Sequence, residues 1–128
     1  MWTTNEEGYS KLQGVDLVTQ QPMRWPKLPA GVYDIDVSTT GEVVSVNLNG
    51  PGTPGDVYVW SIGKPEQVDR IFAASIGGLD PSTFVTPISL NYPAQDGVQL
   101  QGLLYLPDAE IFAGKRSVVV QIHGGPTA

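Results

Sequence analysis

The amino-acid sequence predicts a mainly β protein, and three of its features support that prediction. Apolar residues recur at every second position over much of the first 71 residues, as in Val44, Val46 and Leu48, which is the period of a half-buried strand. Fifteen glycines and eleven prolines exceed the roughly 12% that the two usually make up together, which favours turns over long helices. Turn-forming clusters separate the alternating runs, so we expect short strands joined by tight turns.

The composition is that of a folded domain with an acidic surface. Hydrophobic residues make up 41% of the 128 residues and charged residues 16%, which is too apolar for a disordered chain. Length alone favours one compact domain. Thirteen acidic and seven basic side chains give a net charge of -6, so a nucleic-acid backbone would be repelled. No nucleic-acid partner is expected.

Neither a membrane address nor a cofactor site is predicted. No apolar run reaches the length of a membrane span, and residues 1–7 lack the basic start and apolar stretch of a signal peptide. The cytoplasm is therefore the default compartment. The chain has no cysteine, which excludes disulfides and thiolate metal sites, and no cluster of His, Asp or Glu has metal-ligand spacing. We expect no metal and no cofactor.

A weak internal repeat over the first 80 residues suggests propeller blades. Residues 15–17, followed by Arg24-Trp25, align with residues 60–62, followed by Arg70-Ile71, about 45 residues later, and periods of 40 to 50 are typical of blades. A blade is a four-stranded antiparallel sheet. Loose alignments of this kind also arise by chance, so the repeat supports a propeller without deciding it. The runs expected to supply the four strands lie near residues 9–17, 31–37, 42–48 and 56–62.

The composition changes after Ser75, and a domain boundary near residue 80 is predicted. Small and turn-forming residues fill positions 76–82, as in a linker. Apolar residues then alternate from Ile88 to Tyr92 and from Val98 to Leu106, around Asp96-Gly97. This pattern predicts a hairpin with a two-residue turn.

The end of the chain carries the pattern that suggests chemistry. One helical turn is expected at residues 108–112, and the β-branched run 118–122 predicts a strand buried on both faces. His123-Gly124-Gly125-Pro126 follows it, and two glycines allow a backbone N–H to approach a substrate carbonyl. A preorganised N–H donor to the developing oxyanion accelerates acyl transfer about 10²- to 10³-fold. A plain turn at the strand end is the structural alternative.

Residues 92–107, a variable link and residues 118–126 together resemble the start of the catalytic domain in the prolyl oligopeptidase family of serine peptidases. The similarity is greatest to its acylaminoacyl peptidase and dipeptidyl peptidase branch. Upstream, residues 4–9, 33–38 and 52–60 resemble the last blades of that family's propeller. The order and spacing of these stretches are more specific than any one of them.

The resemblance implies that residues 1–80 form the C-terminal part of a β-propeller and residues 81–128 the N-terminal part of an α/β-hydrolase domain. It implies hydrolysis of short peptides by a Ser-Asp-His triad, with Gly125 offering its N–H to the oxyanion and His123, Gly124 and Pro126 shaping the loop. Triad residues follow this loop in such enzymes, and the 128 residues contain no G-x-S-x-G and a single histidine. The chain alone is therefore expected to be inactive, and its oligomeric state stays open.

Two other functions remain as alternatives. A non-catalytic, propeller-like module that binds peptides or proteins would leave the oxyanion loop without a role. An esterase or lipase would use the same loop but would not explain the propeller-like first half.

Three further patterns are interpreted structurally. The G-x-G-x-x-G at residues 50–55 precedes a strand rather than a helix, and Glu6-Glu7 is a solvated turn. The three tryptophans, Trp2, Trp25 and Trp60, are packing residues.

Overall fold

The computed structural model describes residues 1–122 and Gly124, and its fold is mainly β, as predicted. Within these residues eight strands form three antiparallel sheets of two, four and two strands, with one short 3₁₀ helix at Pro81–Thr83. The strands are β1 Trp2–Glu6, β2 Tyr9–Gln13, β3 Val32–Val37, β4 Val43–Gly50, β5 Thr53–Ser61, β6 Val68–Phe72, β7 Ile88–Pro93 and β8 Gln99–Leu104.

The first sheet is the hairpin of β1 and β2, closed by a two-residue turn. Glu7 and Gly8 both have positive φ, at 54° and 87°, which is the type I′ turn that suits the twist of paired strands. The N–H of Gly8 donates to Oδ1 of Asn5 over 2.9 Å and holds the turn closed. Glu6 and Glu7 are both exposed, so they are solvated as predicted, but only Glu7 lies in the turn, because Glu6 is the last residue of β1.

The second sheet is a meander in which β3, β4, β5 and β6 pair in sequence order, and one of its faces forms the core. Val44, Val46 and Leu48 of β4 are fully buried, and Trp60 lies opposite Val44 on β5. Leu12, Trp25 and Leu28 are among the side chains that cover this face from the first hairpin and the link that follows it. Full burial of a valine or leucine side chain, as at Val44, Val46 and Leu48, contributes about 1.5–3 kcal/mol, so this one face stabilises the first half of the chain.

This sheet begins one strand later than the sequence predicts, because residues 9–17 are not part of it. Their strand portion, β2, pairs with β1, and β6 supplies the fourth strand instead. Beyond Gln13 the chain turns away: Oδ1 of Asp16 accepts from the N–H groups of Val18 and Thr19 over 2.8 and 2.9 Å. Three prolines among residues 22–29 then lack the N–H that a ladder needs.

The weak internal repeat therefore has no counterpart in secondary structure. Its first copy lies in the link, where Val15 makes only an isolated bridge to Pro22. Its second copy begins at the end of β5. The similarity came from residue types that serve as a loop in one place and as a strand in the other.

A buried carboxylate fixes the chain as it leaves the four-stranded sheet. Asp56 on β5 is only 3% exposed. Its Oδ1 accepts from the N–H of Ala74 over 2.9 Å, and its Oδ2 accepts from Nη1 of Arg70 over 3.3 Å. The side chain of Arg70 is half exposed. Asp56 thereby connects β6, through Arg70, and the segment after β6, through Ala74, to β5.

The third sheet is the predicted hairpin, β7 paired with β8, but its turn is longer than predicted. The N–H of Gly97 donates to the carbonyl of Ala94 over 3.0 Å, and the N–H of Ala94 donates to the carbonyl of Val98 over 2.7 Å. The loop is therefore three residues, 95–97, in which Gly97 has a φ of 85°. Asp96 keeps a negative φ and caps the turn by accepting from the N–H of Val98, so a type I turn with a bulge forms instead.

The predicted buried strand at residues 118–122 is wrong for this chain. These residues are not in a strand, and Val118, Val119 and Val120 are 83%, 91% and 77% exposed. A strand needs a neighbour to pair its backbone groups, and no other strand of the described residues lies alongside. The helical turn before it is confirmed, since the N–H of Phe112 donates to the carbonyl of Asp108 over 2.9 Å.

Candidate functional site

The predicted oxyanion loop lies almost wholly outside the described residues. His123, Gly125 and Pro126 are not described, so the role assigned to the N–H of Gly125 stays a prediction. Gly124 is exposed, and a Cβ built on it would meet no atom within 4 Å. The space around Gly124 therefore does not itself require glycine.

The link that leads to this loop is closed by Arg116, a residue that the sequence analysis did not single out. Its guanidinium donates to the carbonyl of Phe112, through Nε over 2.9 Å and also through Nη2, and through Nη1 to the carbonyl of Pro107 over 3.4 Å. Residues 107–116 therefore form a compact loop. The signal was present in the sequence: a cation just after a short helical turn can bind the carbonyls at its end.

The β7–β8 hairpin contacts the turn of the first hairpin, and an apolar cleft of about 290 Å³ lies between them and the ends of β3 and β4. Oγ of Ser89 donates to the carbonyl of Glu7 over 3.2 Å. Leu103 lies 3.6 Å from the position a Cβ on Gly8 would occupy. Tyr9, Val32 and Tyr105 are among the other lining residues. Contacts between residues far apart in sequence thus form this cleft. The alternation of apolar residues within single strands could not predict it.

Two open grooves, of about 570 and 650 Å³, run along β2. They share Glu6, Lys11 and Tyr33, so both signs of charge and an aromatic ring line them. The hydroxyl of Tyr33 donates to the carbonyl of Pro29 over 2.6 Å. Burial, and then the nearby Tyr58, raises the pKa of Tyr33 above its ordinary value. These grooves offer hydrogen bonds and charge to a polar ligand, but they contain no histidine or cysteine for acyl transfer.

The tryptophans do not meet in one ligand cage. Trp60 belongs to the core and Trp25 packs against it, as predicted. A Cβ on Gly14 would lie 2.8 Å from the Trp25 ring, so glycine is what allows this approach. Trp2 differs from the prediction because 49% of it is exposed at the start of β1. The glycine pattern at residues 50–55 spans the β4–β5 turn, with Gly50 in β4 and Gly55 in β5, so no helix N-terminus follows it.

Across the described part of the chain, no helix has the length and apolar character that crossing a membrane requires. No three His, Cys, Asp or Glu residues of that same part are grouped so as to hold a metal ion. Comparison of the chain with models of known protein families, with curated proteins and with solved structures finds no match.

Proposed function

We propose that this chain is part of a serine peptidase of the prolyl oligopeptidase type. In this proposal residues 1–80 are the end of a β-propeller, and residues 81–128 are the start of an α/β-hydrolase domain up to its oxyanion loop. The observation that carries the proposal is the order of two sequence blocks. Residues 92–107 and residues 118–126, which end in the His-Gly-Gly-Pro motif, together resemble the start of that catalytic domain.

The four-stranded sheet supports the propeller half of the proposal. An antiparallel meander in which neighbours in sequence are neighbours in space is the form of a propeller blade. Its core face is covered from one side by the β1–β2 hairpin and the link after it. In the proposal this hairpin belongs to the preceding blade.

The β7–β8 hairpin supports the hydrolase half. Ile88, Leu90, Tyr92, Leu100 and Leu104 share one face, since Tyr92 pairs with Leu100 and Ile88 pairs with Leu104. Ile88, Leu90, Tyr92 and Leu100 are 39–50% exposed. A sheet face with this many apolar residues is suited to cover by a further layer, as the first strands of a larger α/β domain would be.

The chemical role proposed for this chain is narrow. When a serine attacks a peptide carbonyl, the oxygen becomes an anion, and the N–H of Gly125 would donate to it. The N–H after the nucleophile would supply the second donor. The serine, aspartate and histidine of the triad are assigned to other residues than these 128, which contain one histidine and no G-x-S-x-G.

The first test uses a fluorophosphonate probe that labels activated serines. We expect no serine of the 128-residue chain to be labelled, and stoichiometric labelling would overturn the assignment of the triad. The matching genetic observation is a G-x-S-x-G within roughly a hundred codons downstream in the same reading frame. A frame without it would contradict the proposal.

The second test addresses Gly125 in a protein that extends through that motif. Gly125→Pro removes the N–H and should lower kcat for a peptide substrate about 10²- to 10³-fold with little change in KM. Gly125→Ala keeps the N–H and is the matched control. Equal activity of the two variants would remove Gly125 from the oxyanion site. Hydrolysis of esters with no cleavage of peptides would favour the esterase alternative.

A further inference from the structure

Met23 fastens the link between β2 and β3 to the end of β2. Its N–H donates to the carbonyl of Gly14 over 3.0 Å, just after the last residue of that strand. Beside this bond, Val15 and Pro22 make their isolated bridge. The side chain of Met23 is half-buried. The residue is therefore held in place and still accessible to small solutes.

The sulfur of Met23 and the ring of Trp25 converge on Gly14, which is buried. A Cβ built on Gly14 would lie 2.9 Å from Sδ of Met23 and 2.8 Å from Cζ2 of Trp25. The sulfur and the ring are therefore within about 6 Å of each other, close to the separation at which a thioether stabilises an aromatic ring. The gap at Gly14 is too narrow for even one methyl group.

Trp25 connects this contact to the core. Its side chain packs against the buried cluster of Val44, Val46, Leu48 and Trp60. Met23 thus supports a side chain that covers part of the core face. A chemical change at the sulfur would reach the core through this one ring.

We propose that Met23 is an oxidation site and that its sulfoxide releases Trp25 from the core. The inference does not rest on the proposed peptidase function. The oxidant is a hydroperoxide: its O–O bond breaks, one oxygen bonds to Sδ, which is oxidised by two electrons, and the other leaves as water or an alcohol. A methionine sulfoxide reductase reverses the step, since its dithiol becomes a disulfide and the oxygen leaves as water.

The sulfoxide does not suit this site in either direction. On the packed side, its oxygen would enter the gap at Gly14 from which a Cβ is already excluded. On the open side, hydration of the polar S–O group would turn the sulfur away from the Trp25 ring. Both directions weaken the contact between Met23 and Trp25, so the link should separate from the end of β2.

The chain offers an internal reference and matched variants. It has two methionines, and the other is Met1, which is 36% exposed. Met23→Leu keeps an apolar side chain of similar volume but forms no sulfoxide. Met23→Gln places a polar side chain of similar length at the site and imitates the oxidised state without an oxidant.

Hydrogen peroxide treatment of the folded chain tests the proposal, with peptide mass spectrometry and thermal unfolding as measurements. Once residue 23 carries one added oxygen, the Tm should fall by at least about 3 °C. Methionine sulfoxide reductase should restore it. Treated Met23→Leu, in which only Met1 is oxidised, should keep its Tm. The proposal is overturned by an unoxidised residue 23 when Met1 is fully converted, by an unchanged Tm of the oxidised parent, or by an equal fall in Met23→Leu.

Tryptophan fluorescence tests the release of Trp25 separately. Oxidation should shift the emission to longer wavelength, and Met23→Gln should show this shift without peroxide. Trp25→Phe should lose most of the shift on oxidation, whereas Trp2→Phe, at a residue that is already 49% exposed, should keep it. Equal shifts in these two tryptophan variants would contradict the release of Trp25.

Discussion

Two valine-rich stretches of this chain have opposite environments. Val44 and Val46 of β4 are fully buried, whereas Val118, Val119 and Val120 are 77–91% exposed and form no strand. Both stretches have high β propensity, so propensity does not separate them. The difference lies in their neighbours: β4 is central in its sheet, with β3 on one side and β5 on the other. In this molecule the presence of neighbouring strands, rather than composition, determines whether a valine-rich segment forms a strand.

The largest effect is expected when a truncation in the buried stretch is compared with a truncation in the exposed stretch. Leu48→Ala leaves a cavity in the core face and should cost about 2–5 kcal/mol of unfolding free energy. Val120→Ala removes exposed atoms and should change the unfolding free energy by no more than about 0.5 kcal/mol. Urea denaturation followed by tryptophan fluorescence measures both, since Trp60 lies in the same core. Equal losses would mean that residues 118–122 are packed after all.

The connection between the four-stranded sheet and the link is tested at Asp56. Asp56→Ala leaves the N–H of Ala74 without its acceptor and Arg70 without its partner, and should cost about 1–3 kcal/mol. Asp69→Ala, on an exposed position of β6, is the matched control and should stay within about 0.5 kcal/mol. The same denaturation experiment measures the two. Indistinguishable variants would show that the paired region ends before the link.

A smaller effect, with opposite signs at adjacent residues, is expected in the first hairpin. Glu7 has a φ of 54°, so Glu7→Gly should gain about 0.5–1 kcal/mol, the left-handed strain relieved less the extra entropy of glycine. Glu6→Gly lies within β1 and should instead lose about 0.5–1 kcal/mol. Thermal unfolding reports both signs. A loss at both positions would contradict the type I′ turn.

The smallest expected effect is local and depends on pH. Hydrogen bonds from the N–H groups of Thr19 and then Val18 hold the pKa of Asp16 below its ordinary value. Because the pKa is lower in the folded chain, the carboxylate supports this turn above the ordinary pKa of aspartate, and that support is lost as pH falls through the lowered value. NMR chemical shifts of the Val18 and Thr19 amides should follow this titration. Asp16→Asn should abolish it, and amide shifts that titrate unchanged in that variant would contradict the assignment.

The sequence predicted those parts of the fold in which local pattern and partner agree. The apolar alternation from Ile88 to Leu104 predicted both strands of the third sheet. In the first hairpin, Gly8 suits a turn position with positive φ. Residues 9–17 were wrongly predicted to form a strand of the four-stranded sheet. Their apolar alternation predicts a strand but does not identify its partner, and the partner of β2 is β1. The turn at Asp96-Gly97 was predicted one residue too short, because Gln95 belongs to the loop and Asp96 keeps a negative φ.

The candidate site was less predictable than the fold. The cleft between the two hairpins depends on Leu103 approaching Gly8 and on Ser89 bonding to Glu7, contacts between residues far apart in sequence. Arg116 was overlooked because a cation after a single helical turn is a weak signal, and only the structure shows that its guanidinium binds the carbonyls of Phe112 and Pro107. The proposed role of Gly125 came from a motif and a resemblance, and it remains a prediction.

Hydrogen exchange of backbone amides tests most directly whether neighbouring strands, rather than composition, determine that residues 44–48 are ordered in a sheet and residues 118–122 are not. In dilute solution the amides of residues 44–48 should be protected by at least about 10³-fold relative to the unfolded chain, because opening them requires unfolding of the sheet. The amides of residues 118–122 should exchange at the rate of the unfolded chain. Protection of residues 118–122 equal to that of β4 in dilute solution would contradict the account.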